Sequence, residues 1–227
     1  MTLLVLAALL WVGVHVGIAG TAPLRAGAVA RIGERGFLTA YSLLSVVAIA
    51  LLVNAWQAAE TSLLWSAPAG LRWVLALLML PVFVLFVASL RGNPTAMGGE
   101  GARRAAARGI QRVTRHPMLW SFAIWAGVHI LGNGDTASLL FFGAFLVTAL
   151  IGMPSIDAKV AQRDPEGWAR LSATTSILPF GAILAGRNQF SVREIGWVAP
   201  VVGLVAWAAL LHLHPRIFGV SAVLPLS

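Results

Sequence analysis

Cysteine is absent from this chain of 227 residues. No disulfide can form, no thiolate nucleophile exists, and any metal must be held by histidine or carboxylate. Charge is scarce as well: 11% of the residues are charged, where soluble domains carry about 25%. The marks of several chemistries are also missing. The sequence has no P-loop or spaced G-x-G-x-x-G to cradle phosphate, no Ser-His-Asp spacing or carboxylate dyad, and no HExxH zinc helix. Hydrolysis therefore has no visible apparatus. The first twenty residues lack the basic start that a cleaved signal peptide carries, so they are expected to be a retained helix.

What is present is apolar surface. Hydrophobic residues make up 59% of the chain, with nine tryptophans. Six stretches, 2–20, 37–58, 71–91, 117–132, 137–154 and 196–214, come near the ~20 residues needed to cross a bilayer, the fourth being short. The expected fold class is all-α: a polytopic membrane helical bundle of about six transmembrane helices plus cytoplasmic interfacial helices, forming a single domain over 1–227.

The connections support the helix count independently of hydropathy. Fourteen of the sixteen basic residues fall in three of them: Arg25, Arg31 and Arg35; then Arg91, Arg103, Arg104, Arg108, Arg112 and Arg115; then Lys159, Arg163, Arg170, Arg187 and Arg193. Arg72 and Arg216 lie on the other side, with Glu60 and Asp135. The positive-inside rule puts the three basic connections in the cytoplasm and both termini outside. Topology thus explains the net charge of +8 without a nucleic-acid partner, for which no basic stripe interleaved with aromatics exists. The run GGEGARRAAARGIQRV is expected to form a basic interfacial helix, and RDPEGWARL offers Asp164 as N-cap with Pro165 at the first helical position.

Four of the five histidines, His15, His129, His212 and His214, lie within or at the ends of spans, and His116 sits at the mouth of the fourth. Ionisable groups in hydrocarbon are costly and usually pair with something inside the bundle. Two of them recur in matching pentapeptides, WVGVH at 11–15 and WAGVH at 125–129. Trp11 and Trp125 fall on the same helical faces as their histidines, and Gly13, Gly17, Gly127 and Gly132 leave room for close approach. One reading is haem iron ligation by neutral imidazole, with the tryptophans walling a porphyrin or polyene. The other is hydrogen bonding across helices with no cofactor, and the repeated pentapeptide itself is explained by chance similarity of apolar segments. At 1.5 Å per residue, His15 lies about 10 Å and His129 about 20 Å above the cytoplasmic face, so His212 and His214 match His129 better in depth.

The remaining polar and proline positions have local roles. Pro117 opens the fourth helix, Asn133 and Asp135 form a turn and cap, Pro154 ends the fifth helix, and Asn54 is expected to bond to a neighbouring helix. Arg112 and Arg115 suit propionates or lipid phosphates.

The runs TRHPMLWSFAIWAGVHILGNGD (114–135), HVGIAGTAPLRAGAVARIGERGFLTAYSLLSV (15–46), DPEGWARLSATTSILPF (164–180) and HPRIFGVS (214–221) together resemble the NnrU family, which is related to the plant 15-cis-zeta-carotene isomerase. The likeness runs essentially end to end, and Arg115, His116 and Pro117 followed by His129 are its most specific part. The resemblance implies a multi-helix membrane protein and, in the isomerase branch, a haem b bound by two histidines, which match His15 and His129. That branch also has a cysteine three residues before the second ligand, proposed to exchange with histidine on the iron. Ala126 stands there in this chain, so such an exchange has no thiolate. The function implied is haem-dependent cis–trans isomerisation of a carotenoid or other polyene. Bacterial members are linked instead with denitrification, which implies an accessory role beside a nitrite or nitric oxide reductase in the inner membrane. The RHP segment with a later acidic residue also looks like membrane methyltransferases related to isoprenylcysteine carboxyl methyltransferase. For those, Arg115, His116, Asp157 and Arg170 are candidates for an S-adenosylmethionine pocket, though the tyrosine usual after RHP is missing and Asp157 replaces a glutamate. A cofactor-free assembly protein is the third reading.

Overall fold

The computed structural model describes residues 1–18, 22–91, 93, 95, 101 and 106–223. Of the expected basic interfacial helix at 98–113, residues 98–100 and 102–105 lie outside them, 106–109 are not helical, and Ile110–Val113 forms a single short helix. The described residues are 78% helical, with no strand among them beyond one isolated bridge between Leu63 and Asp135.

The helices are α1 (Thr2–Val12), continued by a π-helical turn (Gly13–Ile18), then α2 (Ala22–Gln57), α3 (Ala69–Ser89), α4 (Ile110–Val113) and α5 (Pro117–Asn133). They continue with α6 (Thr136–Arg163), α7 (Pro165–Thr174), α8 (Gly181–Leu184), α9 (Val192–Ile195) and α10 (Val198–Phe218). Four of them, α2, α3, α6 and α10, are long and apolar enough to cross a membrane. The expected first and fourth spans are helical too but shorter: Thr2–Ile18, and α5 with 17 residues. Large apolar side chains on the spans face outward, among them Leu3, Leu43, Val74 and Val205, all more than 60% exposed. In a water-soluble protein that exposure would be a liability; here it is the surface that lipid wets.

The described residues form two compact units, Met1–Ala67 with Ala126–Ser155, and Pro68–Trp125 with Ile156–Ser227. In the first, α1 packs on α2 around Leu4, Ala48 and Leu52. The connection after α2 is tied to the turn between α5 and α6: Thr61 donates to Asp135 Oδ1 at 2.6 Å, and the Leu64 and Trp65 amides both donate to the Gly134 carbonyl. Gly134 has φ +70°, and the Trp65 carbonyl occupies the place of its missing Cβ, so both conformation and space require glycine. Asp135 caps α6 as expected, accepting from the Ser138 amide at 2.8 Å. In the second unit α10 lies against α3 so closely that a Cβ on Gly203 would come within 2.9 Å of the Val84 amide nitrogen. The indole of Trp207 donates to the Ala76 carbonyl at 2.7 Å.

Contacts within each unit join connections of like charge pattern. The connections after α2 and α5 touch in the first. In the second, the segments 106–116 and 155–197 touch through Arg112 and Glu194, Thr114 and Ile177, and Arg115 and Asp157. Each pair is one that the charge pattern assigns to a common side.

Two local expectations are corrected. Pro154 does not end the fifth helix, since α6 runs through it to Arg163; a membrane helix tolerates the lost bond where neighbouring groups satisfy the freed carbonyl. α3 likewise continues through Pro81. Asn54 does not reach a neighbouring helix: its side chain donates to the Ala50 carbonyl one turn back, at 2.7 Å. The expected cap of α7 is present, with Asp164 accepting from the Gly167 amide at 2.9 Å and Pro165 at the first position.

Candidate functional site

His15 sits in the π-helical turn Gly13–Ile18. Such turns shift the backbone ladder by one residue and recur at functional positions. Here the His15 imidazole bonds through Nδ1 to the Trp11 carbonyl at 2.9 Å. A carbonyl only accepts, so Nδ1 carries the proton and Nε2 keeps the lone pair. The Trp11 ring lies 3.9 Å from the His15 ring, and Tyr41 of α2 meets the other side edge-on at 5.7 Å.

A row of rings runs on from Trp11. Phe145 stands 4.8 Å from it, Phe141 5.4 Å further, Phe142 5.0 Å beyond, and the His129 ring stacks on Phe142 at 4.7 Å and 25°. Trp56 stacks on Phe141 at 4.7 Å. Trp11, His15 and His129 therefore share the first unit and one aromatic row, whose consecutive centroids are near the distances at which such rings attract. Trp11 Nε1 is buried without a hydrogen-bond partner among the described residues. Apart from chain neighbours and the backbone of the same helix, no atom lies within 4 Å of where a Cβ would stand on Gly13, Gly17 or Gly127. An orphaned donor and an imidazole whose Nε2 keeps its lone pair leave two polar atoms for a ligand, while the rings of Trp11, Phe145, Phe141 and Phe142 stand in the row between His15 and His129. No group of three or more His, Asp or Glu gathers among the described residues.

The second cluster lies at the mouth of α5, in the other unit. Arg115 grips Asp157 of α6 through Nε, at 3.1 and 3.0 Å, and through Nη2, at 2.6 Å. His116 Nε2 donates to Asp157 Oδ1 at 2.8 Å. All three are buried, and the Arg115 guanidinium also lies over the Trp168 ring at 5.0 Å. Burial of this carboxylate is tolerable because two donors neutralise and saturate it. Backbone bonds hold the corner: the Arg115 amide donates to Ser176 O, the Thr114 hydroxyl to Ile177 O at 2.7 Å, and the Trp120 indole to Ile177 O at 2.8 Å. Arg115, His116 and Asp157 thus come together as one knot, whereas Arg170 stays outside it, exposed and 4.0 Å from Glu166. With its charge taken by Asp157, Arg115 is occupied structurally rather than held ready for a propionate.

The other expected residues fall in the second unit. Trp125 has Phe122 edge-on at 6.5 Å. His214 bonds to the Val220 carbonyl at 2.7 Å and packs on Phe218, and His212 stands two residues earlier on α10. Sequence reasoning missed Tyr41, Trp56 and the phenylalanines of FFGAF (141–145) as parts of a site. Their spacing on one helix face was the available signal, but it reads equally as core.

The model of the family described as "NnrU protein" matches residues 3–222. Two curated relatives are named 15-cis-zeta-carotene isomerase, chloroplastic. The one from Arabidopsis thaliana is 32% identical over 80 residues, 35% of this chain and 22% of the relative, and the one from Zea mays is 32% identical over 81 residues, 36% and 22% respectively. The matched part thus spans about a fifth of those relatives' length. No solved structure matches.

Proposed function

Since the chain belongs to the NnrU family, we propose that it is a membrane-embedded haem b protein that isomerises a cis double bond of a carotenoid-like polyene, in which His15 and His129 would hold the haem. The observation that carries this reading is the bond from His15 Nδ1 to the Trp11 carbonyl. It fixes the tautomer and the ring orientation of an imidazole whose Nε2 has to offer a lone pair, as metal-bound histidines require of their outer partners. The substrate class comes from the named relatives.

Bound haem supplies an iron centre that can lend electron density to a conjugated double bond and lower its barrier to rotation. The chain contributes the surroundings. Flat apolar rings at Trp11, Phe145, Phe141 and Phe142 accept a planar polyene without a desolvation cost and exclude water. Tyr41, edge-on to His15, limits the swing of that ring. The Trp11 N–H, unmatched among the described residues, is available to a ligand acceptor.

The full chain, expressed with haem supplementation and purified in detergent, is expected to show a Soret band that His15→Ala and His129→Ala each abolish. Incubated as the ferrous form with 15-cis-zeta-carotene, it should shift the isomer ratio resolved by chromatography. A colourless protein, or a Soret band untouched by both substitutions, sinks the haem assignment; a normal band with an unchanged isomer ratio sinks the substrate assignment alone.

A further inference from the structure

In the second unit a cleft of about 700 Å³ opens between the C-terminal end of α7, the segment 186–189 and the approach to α4. Three arginines line it: Arg112, Arg170 and Arg187. The positions of Arg112 and Arg187 are fixed by the chain itself. Arg187 donates from Nη1 to three carbonyls at the end of α7, Ser172 and Ala173 at 2.9 Å and Thr175 at 3.1 Å. Arg112 is clamped by Glu194, at 2.7 and 2.8 Å, and by the Asn188 side chain at 2.6 Å. Asn188 in turn donates to Thr174 O at 2.7 Å.

The charge of Arg112 is answered by Glu194, and that of Arg170 in part by the exposed Glu166. Arg187 meets carbonyls and no carboxylate among the described residues, so a fixed guanidinium with donors to spare borders the cleft. Guanidinium forks held in place suit the planar, multi-oxygen face of a phosphate. The same part of the chain exposes a succession of large apolar side chains: Leu178, Phe180, Leu184, Phe190, Val192 and Trp197. Leu184 is 85% exposed and stands two residues before Gly186, which lines the cleft. A cationic cleft rimmed by apolar side chains is the pattern of an interfacial surface, where side chains enter the acyl boundary and basic groups meet anionic headgroups.

We propose that this arginine cleft is a binding site for the phosphate of an anionic lipid headgroup, with Arg170 and Arg187 as the principal contacts and the apolar rim of 178–197 set into the bilayer surface. It is independent of the haem reading, since no residue of the aromatic row takes part.

Native mass spectrometry of the detergent-solubilised full chain tests it, with phosphatidylglycerol and phosphatidylcholine titrated separately and inorganic phosphate as a third arm. Retention of phosphatidylglycerol over phosphatidylcholine is expected. Arg170→Gln, a rim substitution that breaks no bond of the fold beyond the long contact with Glu166, is expected to weaken that retention about tenfold, the loss of one charge-assisted contact. Arg187→Gln should do at least as much, with circular dichroism checking that helix content is kept. Inorganic phosphate that binds where phosphatidylglycerol does not would keep the anion site and reassign it to a soluble phosphate. Equal retention of both lipids, or undiminished phosphatidylglycerol retention in Arg170→Gln, overturns the proposal.

Discussion

At the scale of single residues the firmest arrangement is the knot of Arg115, His116 and Asp157. One carboxylate serves two donors from consecutive positions, and all three side chains are almost wholly withdrawn from solvent. Removing a single partner from a buried ionic group leaves the others desolvated and unmatched, at a cost of about 3–5 kcal/mol. Asp157→Ala is therefore expected to lower stability by that order, read as a drop in denaturation midpoint in detergent. Asp157→Asn, which keeps an acceptor but not the charge, should fall between the two. An Asp157→Ala midpoint equal to that of the unchanged protein would mean that the knot contributes nothing. The pairing was only half visible beforehand. Arg115 and His116 stand out because they precede a proline that opens a span, but nothing in the sequence separation of 42 positions from Arg115 says that Asp157 folds back to them.

At the scale of elements, cap chemistry read well and departures from the regular ladder did not. Asp164 before Pro165, and Asp135 before Thr136, follow residue preferences that act within one turn, and both caps are present. Asp164→Ala is expected to cost about 1 kcal/mol, the usual worth of such a cap, and to fray α7 first. Hydrogen exchange at the amides of 165–168 should rise while that of α10 stays unchanged. The π turn at Gly13–Ile18 and the break inside α2 at Gly33, with φ +72° and ψ 166°, have no comparable local signature. Glycine permits both but also stands in many regular helices, so composition alone cannot place them. Pro154 failed as a stop signal for a related reason. Its effect depends on whether surrounding groups satisfy the freed carbonyl, and those belong to tertiary structure.

For the molecule as a whole, charge was the more legible property. The sorting of basic residues into alternate connections gave a helix parity that contacts inside each unit bear out, through Thr61 with Asp135 and Arg112 with Glu194. The aromatic row was not legible, because ring-to-ring contact depends on rotamers and on which helices adjoin; FFGAF reads the same whether it faces lipid, core or ligand. The charge pattern also sets how the assembly responds to acid. Glu194 is held at about 2, below its ordinary value of 4.5, first by the hydrogen bonds from Arg112 and then by the Gly109 amide, against a smaller opposing effect of burial. Its folded-state value lies below the unfolded one, so the unfolded chain takes up the proton first on acidification. The stabilisation from the strap between Gly109 and Glu194 is then complete above pH 4.5 and declines as pH falls from 4.5 towards 2. The melting temperature in detergent should therefore drop over that interval, and Glu194→Gln should start lower at pH 6 and lose less on the way down. Parallel profiles for the two proteins between pH 6 and pH 3 would show that the strap carries no linkage and that acid acts elsewhere.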